Sequence, residues 1–145
     1  MSKFSILFLA LILLATSCKK EEIKTKTDIL CNRTWILEEY SKTSGGVITV
    51  YYKKGGSNNI YDYSKDTRNY IKDGTTTAIS TPSGGLGYRG TWKFLSNETQ
   101  MENQQTYPTL GSKRVVDITS PTENEFVYTE KNDEELYKSR YIPQQ

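Results

Sequence analysis

Beyond residue 17 the chain contains a single alanine, Ala78, against 17 Thr, 11 Tyr and 10 Gly. Alanine is the strongest helix former, whereas Thr and Tyr suit a pleated surface and Gly marks turns. A chain so composed is expected to fold as strands joined by tight turns. The same 128 residues hold only 22 Leu, Ile, Val and Phe. Its core must therefore be modest and rich in tyrosine, whose rings bury large areas per residue.

Turn signals divide the chain into short segments of alternating polarity. Strands are predicted over residues 33–40, 47–53, 60–63, 68–72, 75–80, 88–95, 99–103, 113–119, 125–130 and 135–142. Between them stand Ser44-Gly45-Gly46, Asp73-Gly74, Ser96-Asn97, the stretch from Ser120 to Asn124, and Asn132-Asp133. Asp73-Gly74 is expected to make a two-residue hairpin turn with Gly74 at positive φ, flanked by antiparallel 70–72 and 75–77. No segment reads as a helix. Eight to ten strands with short sequential connections predict a meander closed into a barrel, because closure removes exposed edges. The length of 145 residues allows one such domain, expected over residues 29–143.

The first residues carry a different message. Met1-Ser2-Lys3 is a short positive start, and residues 4–15 are almost wholly apolar. About 12 apolar residues are too few to span a bilayer, which needs about 20, but they fit a secretory signal peptide over residues 1–17. Ala15-Thr16-Ser17-Cys18 places a small residue directly before a cysteine, which resembles a bacterial lipobox. That resemblance implies cleavage before Cys18 and acylation of its thiol, palmitate among the chains, and so a membrane anchor. Cys18-Lys19-Lys20-Glu21-Glu22 is similar to the run that Bacteroidota lipoproteins use to reach the outer face of the outer membrane; a plain solvated linker is the other reading. Residues 18–28 are expected to form a flexible, polar tether. With Cys18 acylated, Cys31 has no cysteine partner and reads as a small buried hydrophobe.

Composition excludes several functions. The chain has no His, which removes His-based triads, His-ligated metals and imidazole switches. A net charge of +2 gives no basic surplus for nucleic acid. The oxygen-bearing run Asp62-Tyr63-Ser64-Lys65-Asp66 lacks the Gly and the final Glu of a calcium loop and carries a lysine in its midst. Gly84-Gly85-Leu86-Gly87 lacks the Lys-Ser/Thr of a phosphate loop. Glu38-Glu39 and Asp133-Glu134-Glu135 are adjacent pairs, which alternate faces on a strand and cannot flank one bond. No nucleophile–base pair is legible, so an enzyme is not expected, and neither is a cofactor.

Several segments together resemble the lipocalin-like domains of Bacteroidota lipoproteins. Arg33-Thr34-Trp35-Ile36-Leu37 is similar to the family's opening Gly-x-Trp-x-Leu strand, with Arg33 where Gly is usual. Asn69-Tyr70-Ile71-Lys72-Asp73-Gly74-Thr75 resembles its aromatic strand ending in an Asp-Gly-Thr hairpin, and Gly90-Thr91-Trp92-Lys93-Phe94 its mid-chain Trp strand. Val116-Asp117-Ile118-Thr119 and Phe126-Val127-Tyr128-Thr129 are similar to its closing strands. The resemblance implies an all-β, up-and-down antiparallel barrel of about eight strands around a cup for a small apolar or amphipathic ligand. Candidate cup residues are Trp92, Phe94, Tyr51, Tyr70 and Tyr128, although Trp92 with Phe94 also suits core packing. Tyr51, Tyr52, Tyr61, Tyr63, Tyr70 and Tyr88 either grip a partner or stand in for scarce aliphatics. By analogy with lipocalins, Trp35 is expected to plug the closed end under a stacked Arg140 from the last strand. An exposed Arg140 beside Lys138 on a solvent face is the other reading, since one residue of register slip turns it outward. The alternative to a ligand carrier is a non-enzymatic accessory protein with a filled core, docked to an envelope protein.

Overall fold

The computed structural model describes residues 23–80, 85–119 and 121–145. The expected signal segment 1–17, Cys18 and the charged run 19–22 lie outside the described residues. The elements are α1 (Lys26–Cys31), β1 (Thr34–Ser44), β2 (Val47–Lys53), β3 (Thr67–Tyr70), β4 (Thr75–Ser80), β5 (Leu86–Leu95), β6 (Gln100–Tyr107), β7 (Lys113–Thr119), β8 (Phe126–Asn132) and β9 (Glu135–Pro143). A left-handed three-residue turn, Ser96–Glu98, joins β5 to β6.

The strands form one antiparallel sheet in the order β2-β1-β3-β4-β5-β6-β7-β8-β9. β1 also pairs with β9, from Trp35 opposite Pro143 to Thr43 opposite Leu136, and this closes the sheet into an eight-stranded up-and-down barrel. β2 is the ninth strand and stands outside the ring. It takes over the edge of β1 from Glu39 to Ser44, above the short stretch, Thr34 to Ile36, where β1 meets β3. The all-β barrel predicted from the sequence is thus present, with one strand to spare. Residues 60–63, predicted as a strand, instead belong to the loop between β2 and β3.

Bulges bend the strands so that the ring closes. β1 shifts register between Leu37 and Glu39, and β5 between Arg89 and Gly90. Trp35 and Leu37 face inward on one side of the β1 bulge, and Tyr40 does so on the other. At Gly90 a Cβ would lie 2.3 Å from the Gln104 carbonyl oxygen, so only glycine lets β5 and β6 approach there.

The hairpin at Asp73-Gly74 forms with a longer loop than expected. Gly74 N–H donates to the Ile71 carbonyl at 3.0 Å, and Ile71 N–H to the Thr75 carbonyl at 2.9 Å. Gly74 has φ +86° while Asp73 is not left-handed. The loop is therefore Lys72-Asp73-Gly74, a turn completed by one left-handed glycine, rather than a two-residue turn with both residues left-handed. The Asp73 carboxylate holds it by accepting from the Thr75 N–H at 2.8 Å. A two-residue turn with both residues left-handed is found at Gly45-Gly46, with φ of +55° and +78° between paired Ser44 and Val47.

The helix α1, not expected from the sequence, starts in the last residues of the expected tether and runs across residue 29 into the domain. Thr25 and Asp28 form a reciprocal capping box, with each side chain bonded to the other's backbone N–H. Leu30 is wholly buried and its carbonyl accepts from the Trp35 Nε1–H at 2.9 Å. Six residues are too few for a helix to persist alone. Burial of Leu30 and the Trp35 bond hold α1 across the barrel end.

That end is packed solid. Trp35, Tyr70, Met101, Phe126 and Tyr141 are almost fully buried there, with Trp92, Val116 and Ile118 around them. Phe126 is the hub: its ring lies 5.7 Å from Trp35, 5.8 Å from Tyr70 and 6.3 Å from Tyr141. Cys31 packs against this core, half-buried, and burial pushes its thiol pKa up.

Candidate functional site

The opposite end of the barrel is not filled. A cavity of about 300 Å³ opens there, bounded by Arg68 and Tyr70 on β3, Thr76, Ala78 and Ser80 on β4, Tyr88 on β5 and Asn103 on β6. A second hollow of about 180 Å³, under Tyr40, Tyr128 and Tyr137, adjoins it and shares Arg68, Ser80 and Arg114. Strand alternation explains the lining. Arg68 and Tyr70 are two apart on β3, and Thr76, Ala78 and Ser80 are spaced alike on β4, so each set points into the barrel.

Arg68 is the floor of this cup. It lies deep in the barrel, yet the cavity keeps part of it in contact with solvent. Its guanidinium carbon is 5.4 Å from the Tyr128 ring centre and 5.3 Å from that of Tyr141. Its Nε–H donates to the Tyr141 hydroxyl at 2.7 Å, and that hydroxyl donates to Asp66 Oδ1 at 3.2 Å. Asp66 is buried, and desolvation raises its pKa although the Arg68 charge and bonds from Tyr141 and Ser80 pull the other way. Burial likewise pushes Tyr70 up to about 12 and Tyr141 well above the ordinary phenol value. These phenols stay protonated at neutral pH and act as neutral hydrogen-bonding and stacking groups.

The rim carries further aromatics. Tyr40 meets Tyr51, Tyr63 and Tyr137 at 5.6, 5.6 and 6.3 Å, and Tyr61 meets Tyr51 at 5.6 Å. Arg114 stands at the mouth, 3.8 Å from Glu130.

The residues singled out from sequence fall in three places. Tyr70 and Tyr128 line the two hollows. Trp92 and Phe94 instead belong to the packed end: Trp92 is 5.4 Å from Tyr70 and 5.2 Å from Phe94, and its Nε1–H donates to the Ile71 carbonyl at 2.9 Å. β5 runs from the open end to the closed end, so residues late on it reach the floor packing. Tyr51 sits on β2, outside the ring, and contributes to the rim cluster rather than the cavity wall.

Barrel closure between first and last strands is as expected, but a different cation covers Trp35. Arg140 faces outward between the inward Ser139 and Tyr141, and its Nε–H donates to Glu125 at 2.8 Å. The guanidinium over the Trp35 ring, 5.4 Å from its centre, is that of Arg33, which also binds the Glu123 side chain and carbonyl. Alternation on β9 with Tyr141 inward leaves Arg140 no route to the interior.

Sequence reasoning missed Arg68, Asp66 and Arg114. The signal was present: a strand that points Tyr70 inward points Arg68 inward too. Asp62 and Asp66, read together as a weak cation loop, are separated by the fold. Asp62 accepts from the Ser64 N–H in a surface turn, whereas Asp66 enters the barrel. Among the described residues no group of three or more His, Cys, Asp or Glu is placed to hold a metal, and no helix is long and apolar enough to cross a membrane. The sequence matches no protein-family model and no curated protein.

Proposed function

We propose that this is an outer-membrane-anchored lipoprotein of the lipocalin-like kind, acylated at Cys18, whose barrel binds a small amphipathic molecule and performs no catalysis. The observation that carries the reading is the contrast inside one closed barrel. One end is packed with aromatics, while the other holds a cavity of about 300 Å³ with a second hollow beside it. Pockets of roughly 300–1,000 Å³ are the usual size for small ligands. The lining favours an amphipathic over a wholly apolar guest, because Arg68, Asn103 and Arg114 stand among the tyrosine rings. A filled barrel acting only as a docking module has less support, since the upper half is open.

Native mass spectrometry of the protein purified from its own host tests the cup. The reading expects a co-purifying small molecule that is lost in Ala78→Trp, where an indole occupies the cavity. A barrel that carries nothing, in both forms and at every stage of purification, contradicts it. The anchor is tested separately: labelled palmitate should enter the protein and be absent from Cys18→Ala, with release of that variant from membranes.

A further inference from the structure

Arg68 holds a charge whose environment is incomplete. A guanidinium offers five N–H donors. The Nε–H is used by Tyr141, a further bond reaches Tyr70, and the Tyr128 and Tyr141 ring centres lie 5.4 and 5.3 Å from the guanidinium carbon. Among the described residues no carboxylate forms an ion pair with Arg68; Asp66 is hydrogen-bonded to it through the Tyr141 hydroxyl and otherwise acts on it by charge across that gap. Three other cations of this barrel are ion-paired: Arg33 with Glu123, Arg140 with Glu125 and Lys42 with Glu135. Arginine sunk in a barrel is costly unless its charge meets a partner. Here the guanidinium borders both hollows, so the space it faces is where a partner fits.

From the ligand-cup reading, on which this step rests, we infer that the occupant is a small carboxylic acid, its carboxylate seated on Arg68 and its body against the tyrosines. A planar guanidinium matches a carboxylate by two parallel hydrogen bonds. The bond from its Nε–H to Tyr141 and the neighbouring rings of Tyr128 and Tyr141 position the guanidinium in advance. Tyr70, Tyr88 and Ala78 offer faces for an aromatic or short aliphatic body, and Asn103 can bond a polar substituent. A single negative charge fits better than two, because Asp66 and Glu130 border the same space as Arg68 and Arg114.

The test compares 2-naphthylacetate with 2-naphthylacetamide, which share shape and differ in charge. The protein is the full chain carrying Cys18→Ser, and the readouts are the Ala78 methyl and the Arg68 Nε–H in NMR titrations. The acid is expected to bind about ten- to hundredfold more tightly than the amide, the range of a charged hydrogen bond in a sheltered site. Arg68→Met should bring the acid down to the amide's affinity, and Arg68→Lys should keep part of the preference. Equal affinity of acid and amide for the unsubstituted site overturns the carboxylate assignment and leaves the cup standing. Failure of both probes to shift Ala78 at any accessible concentration overturns the cup as well. Should Arg68→Met not fold, the acid–amide ratio in the Cys18→Ser chain and in Arg68→Lys decides.

Discussion

The two ends of the barrel are built from the same residue types for opposite purposes. At the closed end, Trp35, Tyr70, Trp92, Phe126 and Tyr141 interlock, and the cation over them, Arg33, is neutralised by Glu123. At the open end, Tyr40, Tyr88, Tyr128 and Tyr137 stand around empty space, and Arg68 meets no carboxylate in an ion pair. Tyrosine serves both because its ring buries like an aliphatic while its hydroxyl bonds or faces water. The difference lies in what closes over the rings. Helix α1 crosses one end, whereas the β2 hairpin and the loop before β3 leave the other open.

The sharpest way to break the contrast is to empty the packed end. Trp35→Ala removes the indole, its bond to Leu30 and the surface under Arg33. Loss of a buried large aromatic costs about 3–5 kcal/mol, so chemical denaturation should show a drop of that order. Tyr128→Ala, from the cavity wall, should cost clearly less. Equal losses would mean that the open end is packed as tightly as the closed one.

Smaller effects sharpen the picture of what holds the lid and the turns. Thr25→Ala removes half of the capping box and should cost about 1 kcal/mol. Amide protection in α1, read by hydrogen exchange, should fall further than protection in β8 and β9. Gly74→Ala forces a side chain into φ +86° and against the Trp92 carbonyl at 3.4 Å. The penalty expected is about 1–2 kcal/mol, measured by thermal unfolding.

Acid should loosen α1 before it disturbs the cup. Bonds from Lys24 and Arg33 hold the Glu123 carboxyl down to about 2, and bonds from Lys72 and Thr25 hold Asp28 well below the ordinary carboxylate range. Carboxyls depressed by folding contribute stability that is present above their unfolded values near 4 and lost as pH falls through the folded ones. Glu123 is exposed and Asp28 only half-buried, so solvent screens both and the effect is small. The protection factor of the Ile29 amide, bonded to the Thr25 carbonyl at 3.0 Å, should decline between pH 4 and pH 2. Protection in the Phe126 region should hold over that range.

Much of the strand order was readable because each strand pattern carries its own evidence. Alternating Trp35 and Leu37, the Gly45-Gly46 turn and the Thr-rich β4 are local signals. Helix α1 was not legible, since only the Leu30 and Trp35 contacts, made across the fold, keep so short a helix formed. In the sequence, Arg140 stays open between stacking and solvent for a related reason: which face of β9 turns inward depends on its register against β1, and the bulge at Leu37/Glu39 belongs to that pairing. Of the residues lining the hollows, Tyr70 and Tyr128 are legible in the sequence, while Arg68 is not singled out although it shares a face with Tyr70. For Trp92 its strand alone allows either a cup or core packing, and the direction of β5 along the barrel puts it at the packed end.

The central claim is that the barrel is filled at one end and hollow at the other, and the stability of Ala78→Trp tests it most directly. Ala78 faces the cavity of about 300 Å³, which has room for an indole. Thermal and denaturant unfolding should place this variant within about 0.5 kcal/mol of the parent, since no packed atom is displaced. A loss of about 1–3 kcal/mol, the usual cost of forcing a large ring into a close-packed interior, would show that the hollow end is packed and would contradict the account.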